Sequence, residues 1–144
     1  MPLDAVVIML GTNDVRSDLN RTPQQIAAGI RGMVDTVAGS AGGVLTNYPA
    51  PRVLIVIPPY IEDTTRTPIG GVMIGAQDKS RRLADAVRAV LGGTDASIFD
   101  ASTVVRVNGI DGVHMTAGDH RALGEAMATE VRRLLTPASL GVRE

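Results

Sequence analysis

Two uninterrupted apolar runs organise the chain. Ala5 to Leu10 reads Ala-Val-Val-Ile-Met-Leu and stops at Gly11. Val53 to Ile57 reads Val-Leu-Ile-Val-Ile and stops at Pro58-Pro59. Runs rich in β-branched residues and lacking alternation suit strands covered on both faces by helices, as in a parallel sheet. Ser97-Ile98-Phe99, closed by Asp100, is a shorter third candidate. Helical spacing fills the gaps. Thr22-Pro23-Gln24-Gln25 joins an N-cap hydroxyl, proline at the first helical position and glutamine at the third. Ile26, Ile30, Met33, Val34 and Val37 follow on one face, and Gly39 to Gly43 ends that helix. Leu83, Val87, Val90 and Leu91 mark a second helix, with Arg81, Arg82, Asp85 and Arg88 outward and Gly92-Gly93 as its stop. Thr116-Ala117-Gly118-Asp119 caps a third, whose apolar face is Leu123, Met127, Val131, Leu134 and Leu135.

The order strand, helix, strand, helix, strand, helix predicts an α/β fold: a three-layer α/β/α sandwich around a parallel sheet with right-handed crossovers. One domain over residues 1–137 accommodates the pattern, with 138–144 as a flexible tail. Three strands make a thin sheet with exposed edges. The chain also opens directly on what reads as a central strand, with no basic stretch or leader before it. Both features point to a fragment, or to an internal start codon. Compartment is unknown, cytoplasmic by default. The longest irregular segment, Pro58 to Ala76, leaves the carboxyl end of a strand, where open α/β sheets bind ligands. Its apolar stretch Ile69 to Ile74 fits either a substrate pocket or an oligomer contact.

Composition narrows the functions. Of 144 residues, 44% are apolar and 20% charged, ordinary for a globular domain. Fourteen basic residues against fifteen acidic ones leave a net charge of -1, and two tyrosines and one phenylalanine are the only aromatics. That argues against a nucleic-acid partner. There is no cysteine, hence no disulfide, thiolate metal site or cysteine nucleophile. No apolar run approaches the roughly 18 residues that span a bilayer.

The candidate chemistry sits in two places. Asp111-Gly112-Val113-His114 sets a carboxylate three residues before one of only two histidines, in a loop ahead of the capped last helix. An imidazole works well as a general base when a carboxylate fixes its tautomer and stabilises the imidazolium. The competing reading is an Asp-Gly turn beside a helix cap. Gly11-Thr12-Asn13-Asp14 follows the first strand. There glycine permits a sharp turn, and Asn13 can aim its amide N–H at a developing oxyanion. Asn and Asp are also common turn formers, and Asp14 is read as tying down that turn. His114, His120 and Asp111 match no metal-ligand spacing, and His120 is read as a surface or staple residue. No cofactor motif is present: Gly11-Thr12-Asn13 lacks the lysine and spaced glycines of a phosphate loop. Ser17, Ser40, Ser80, Ser97, Ser102 and Ser139 are all outside any strand-to-helix elbow, so no nucleophile is assigned.

The strand ending in Gly-x-Asn-Asp with a distant Asp-x-x-His before the final helix resembles the SGNH (GDSL-type) hydrolase family. The similarity is to its bacterial arylesterase/acyltransferase branch and runs over about residues 2–135. Leu3-Asp4, Val6 to Asp14, Ser40-Ala41-Gly42-Gly43, Tyr48-Pro49-Ala50-Pro51 and Asp111 to His114 carry it. The resemblance implies a flavodoxin-like fold and a small ester substrate. It makes His114 the general base, Asp111 its orienting partner and Asn13 an oxyanion donor. The family's nucleophilic serine, in a Gly-Asp-Ser block, and the glycine of its second block would both precede Met1, together with its first strand and helix. The expectation is therefore a carboxylic ester hydrolase whose given chain is an N-terminally truncated, inactive fragment, completed by an N-terminal segment or acting in a homo-oligomer. The alternative is a non-catalytic binding or assembly module on the same scaffold.

Overall fold

The computed structural model describes residues 2–42, 44 and 47–136. The elements appear as the apolar pattern orders them: β1 (Ala5–Ile8), α1 (Pro23–Ala38), β2 (Arg52–Ile57), α2 (Ala76–Leu91), β3 (Ser97–Asp100) and α3 (Ala117–Leu135). Short 3-10 turns at Gly70–Val72 and Ala101–Thr103 interrupt the loops. The expected tail 138–144, with Ser139, lies outside the described residues.

The sheet is parallel throughout, in the order β1-β2-β3. The strands advance in one direction, so crossovers of one hand bring α1 and α2 to the same face. The strand residues divide accordingly. Val53, Ile55 and Ile57 join Ile26, Ile30, Val34, Leu83 and Val87 in one core. Leu54 and Val56 turn to the other face and pack with Val105, Val107 and Leu123 of the final segment. The two clusters form the two interfaces of a three-layer α/β/α sandwich.

Residues 53–57 of β2 are buried on both faces, as their unalternating run requires. Here β1 departs from expectation. It sits at the sheet's edge rather than its centre, bonded only to β2, and Val7 is 38% exposed. In register Val7 lies beside Leu54, on the α3 face. Leu54 is fully covered there and Val7 is not, so the helical layer on that face covers β1 only in part. The run's apolar character foretold burial on both faces, which needs a neighbour that the described residues do not supply.

Both helix starts read from the sequence form capping boxes. Thr22 and Gln25 exchange side-chain and backbone hydrogen bonds at α1, and Thr116 and Asp119 do so at α3. The second box fixes where α3 begins, with its N-cap Thr116 two residues after His114.

Candidate active site

The carboxyl ends of the strands carry the site. After β1 the chain turns at Gly11, whose φ of +117° suits glycine alone, and a Cβ there would come within 3.0 Å of Leu83. The turn is closed by the Asp14 amide donating to the Gly11 carbonyl. Asp14 itself pairs with Arg21, consistent with a tethering role. Asn13 is thereby presented beyond the strand end.

After β3 the chain reaches the Asp111–His114 turn. One carboxylate oxygen of Asp111 accepts the amides of Val113 (3.0 Å) and His114 (2.8 Å). The other lies 2.6 Å from His114 Nδ1. The His114 amide foremost, then the imidazole, hold the Asp111 carboxyl down at about 2. It is ionised at neutral pH and can only accept, so Nδ1 carries the proton and Nε2 is left as the basic nitrogen. The His114 side chain is 69% exposed, leaving Nε2 open to a reactant.

Gly112 makes this turn possible. Its φ is +79°, and a Cβ would stand 2.8 Å from the Asp63 carbonyl oxygen. The Gly112 carbonyl accepts the Glu62 amide at 2.8 Å. The Asp111–His114 turn therefore leans on Glu62 and Asp63, in the long loop after β2.

The two halves meet. Asn13 and His114 line one cleft of about 270 Å³, with Met9, Thr12, Pro59, Val113, Met115 and His120. Larger hollows of about 440 and 560 Å³ lie at the opposite ends of the strands, around Arg52 and Asp95. Ligands in open parallel sheets bind at the carboxyl ends, and of the hollows there this cleft is the one that holds both Asn13 and His114. His120, read from sequence as a surface or staple residue, is exposed but stands in this cleft; its place six residues after His114, on the first turn of α3, was the available signal. Met9 and Met115 were not anticipated either.

Among the described residues no serine lines the cleft. Ser17, Ser40 and Ser102 bond to Val72, Val37 and Asp100, Ser80 is buried, and Ser97 lies at the far end of the sheet. No group of three or more His, Asp or Glu side chains is placed to hold a metal among the described residues. No described helix is long and apolar enough to cross a membrane.

The fold is thus an α/β sandwich with a carboxylate-held, exposed imidazole at the carboxyl edge of its parallel sheet. Solved structures sharpen the class. An aryl esterase from M. smegmatis superposes with a TM-score of 0.87 at 42% identity over 94% of this chain. Two carbohydrate acetylesterases from Sinorhizobium meliloti follow at 0.86 and 0.84, with 40% and 33% identity over 93%. The fold is the SGNH-type hydrolase fold of these arylesterases and acetylesterases. It spans 62–63% of the length of those structures. No protein-family model and no curated protein matches the chain.

Proposed function

We propose that the chain supplies the base and oxyanion half of an ester-cleaving acyl-transfer site. His114 Nε2 takes the proton of an attacking hydroxyl, and Asp111 holds the imidazole and stabilises its cationic form. The Asn13 amide donates to the oxyanion of the tetrahedral intermediate. The carrying observation is the 2.6 Å contact from Asp111 to His114 Nδ1 at a cleft shared with Asn13. A cleft of about 270 Å³ favours a small ester with a short acyl group, being below the roughly 300 Å³ at which pockets for drug-sized ligands begin.

The nucleophilic serine is the piece to be supplied by polypeptide outside these 144 residues. No serine stands at His114 among the described residues, and over a third of the length of the structural relatives lies outside the match. Alone, the chain is inactive by this reading. The test has two arms. The chain by itself should leave p-nitrophenyl acetate unhydrolysed above the His114→Ala background. The reading frame extended upstream should encode a Gly-Asp-Ser stretch, and the longer product should turn over the ester with dependence on both that serine and His114. His114-dependent turnover by the chain alone refutes the proposal. An in-frame stop immediately upstream supports instead a non-catalytic module on the same scaffold.

A further inference from the structure

Ser80 is a buried nucleophile-type side chain that the proposed chemistry does not use. It lies on α2, 6% exposed, with its hydrogen bonds committed. Its Oγ donates to the Gln77 carbonyl at 2.9 Å and accepts the Ile61 amide at 3.0 Å. The second bond is not part of any helix or strand ladder. It ties the loop after β2 to a helix on the far side of the sheet from α3.

What Ser80 holds is itself a brace. Ile61 is 1% exposed and anchored in the core. The next amide, Glu62, donates to the Gly112 carbonyl. One residue further on, the Asp63 carbonyl presses against the Gly112 α-carbon so closely that a methyl would not fit. Gly112 is flanked by Asp111 and by Val113, whose amide bonds the Asp111 carboxylate. A continuous path of short contacts thus runs from the Ser80 hydroxyl through three residues of loop into the turn that carries His114.

Resting on the reading of His114 and Asp111 given above, we infer that Ser80 is a positioning residue: its hydroxyl fixes the 61–63 strut, and the strut sets the Asp111–His114 geometry. The physical reason is selectivity. The loop from Pro58 to Gly75 lacks a regular ladder, so its first residues are set by the packing of Ile61, the Glu62–Arg81 pair and the one buried side-chain acceptor, Ser80 Oγ, which alone satisfies the Ile61 N–H. Removing that acceptor leaves the Ile61 N–H buried and unpaired, and the strut shifts to satisfy it. A contact of 2.6 Å responds steeply to such a shift, because hydrogen bonds weaken quickly with length and angle.

The test reads the pair by NMR in the 144-residue chain, so it is independent of turnover. The observables are the far-downfield His114 Nδ1 proton and the carboxyl ¹³C titration of Asp111. Ser80→Ala should broaden or abolish the Nδ1 proton signal and move the Asp111 midpoint up toward an ordinary carboxylate. Ser80→Thr, which keeps the hydroxyl, should restore both. Val87→Ala opens the core of the same helix without touching Ile61 and should leave both intact. If Ser80→Ala does not fold, Ser80→Cys serves in its place, its sulfur filling the site but accepting weakly, and must show the same losses. The inference is overturned if a folded Ser80 variant has lost hydrogen-exchange protection at the Ile61 amide while the His114 and Asp111 signals stand unchanged. It is equally overturned if Val87→Ala produces the same losses, since the effect is then general loosening. Absence of esterase activity in the longer protein would refute the catalytic reading and leave this geometric result untouched.

Discussion

Gly112→Ala tests most sharply whether the Asp111–His114 turn is built against the loop after β2. Two costs add at this position. A Cβ at φ +79° is strained, by roughly 1–2 kcal/mol for a left-handed L-residue. The methyl would also sit 2.8 Å from the Asp63 carbonyl oxygen and 3.1 Å from two backbone carbons, which cannot rotate away as a side chain could. Forcing backbone apart in this way costs about 1–3 kcal/mol by analogy with overpacked cores. Gly93→Ala isolates the first cost: its φ is +82°, and nothing lies within 4 Å of the added carbon. The unfolded chain loses the same entropy in both variants, so that contribution cancels. Gly112→Ala is therefore expected to be less stable than Gly93→Ala by about 1–3 kcal/mol. With a urea slope near 2 kcal/mol per molar, the midpoints should separate by roughly 0.5–1.5 M. Urea unfolding followed by circular dichroism measures this directly. Midpoints that coincide for the two variants would refute the close approach, and with it the idea that residues 61–63 brace the histidine turn.

Three further outcomes are expected. Asp111→Asn should alter the acid limb of stability. The Asp111 carboxyl is held at about 2 against its ordinary 3.8, so its contribution is full above pH 3.8 and is lost as pH falls through 2. The variant should be less stable at pH 5 and show a flatter profile between pH 4 and 2 in urea titrations, and parallel profiles would contradict the assignment. Val7→Lys places a charge on the exposed position of β1 and should reduce self-association in light scattering, whereas Thr36→Lys on the outer face of α1 should not. Under the proposed function, Asn13→Ala in the extended protein should lower kcat by roughly 10²–10³ with little change in KM, the signature of a lost oxyanion donor. A pure KM effect would move Asn13 to substrate binding.

Much of this was legible in the residues, and unevenly so. Capping chemistry is local, and the Thr22 and Thr116 boxes fall where the sequence put them because each needs only four consecutive residues. The run 53–57 is buried on both faces because apolar continuity reports the environment of a strand directly. The Asp111–His114 contact was legible for the same reason as the caps, since three residues of loop suffice to close it. What the sequence hid was long-range. That Asn13 and His114, a hundred residues apart, share a cleft depends on strand order. That Gly112 must be glycine because of Asp63 depends on a loop no periodicity describes. Ser80 looked like an ordinary polar residue on a charged helix, and its burial against Ile61 follows from that loop's path. The edge position of β1 among the described strands differs from the central place its composition suits, because composition reports what a strand is suited to and not what lies beside it.

That mismatch bears on how the site works. Asn13 rides on the strand with one neighbour, while His114 rides on a turn braced from the strand with two. Under the proposed function, the oxyanion donor is thus carried by the less constrained element. A further parallel strand laid along the free side of β1 would bond its open edge at a spacing of roughly 4.8 Å. A helix leading from it to a still more distant strand runs opposite to the β1-β2-β3 sense, so a crossover of the same hand brings it to the α3 face, over Val7. A strand in that place would also end beside Gly11–Asn13, because parallel neighbours point their carboxyl ends the same way. The residue leaving its tip would enter the cleft opposite His114 Nε2. Under the proposed function, one docking event therefore has three consequences: it buries an exposed valine, stiffens the strand that bears Asn13, and delivers the hydroxyl that His114 lacks. Stability and activity should accordingly be gained together on extending the chain, and an extension that restores turnover while leaving Val7 exposed to solvent would separate them and break the argument.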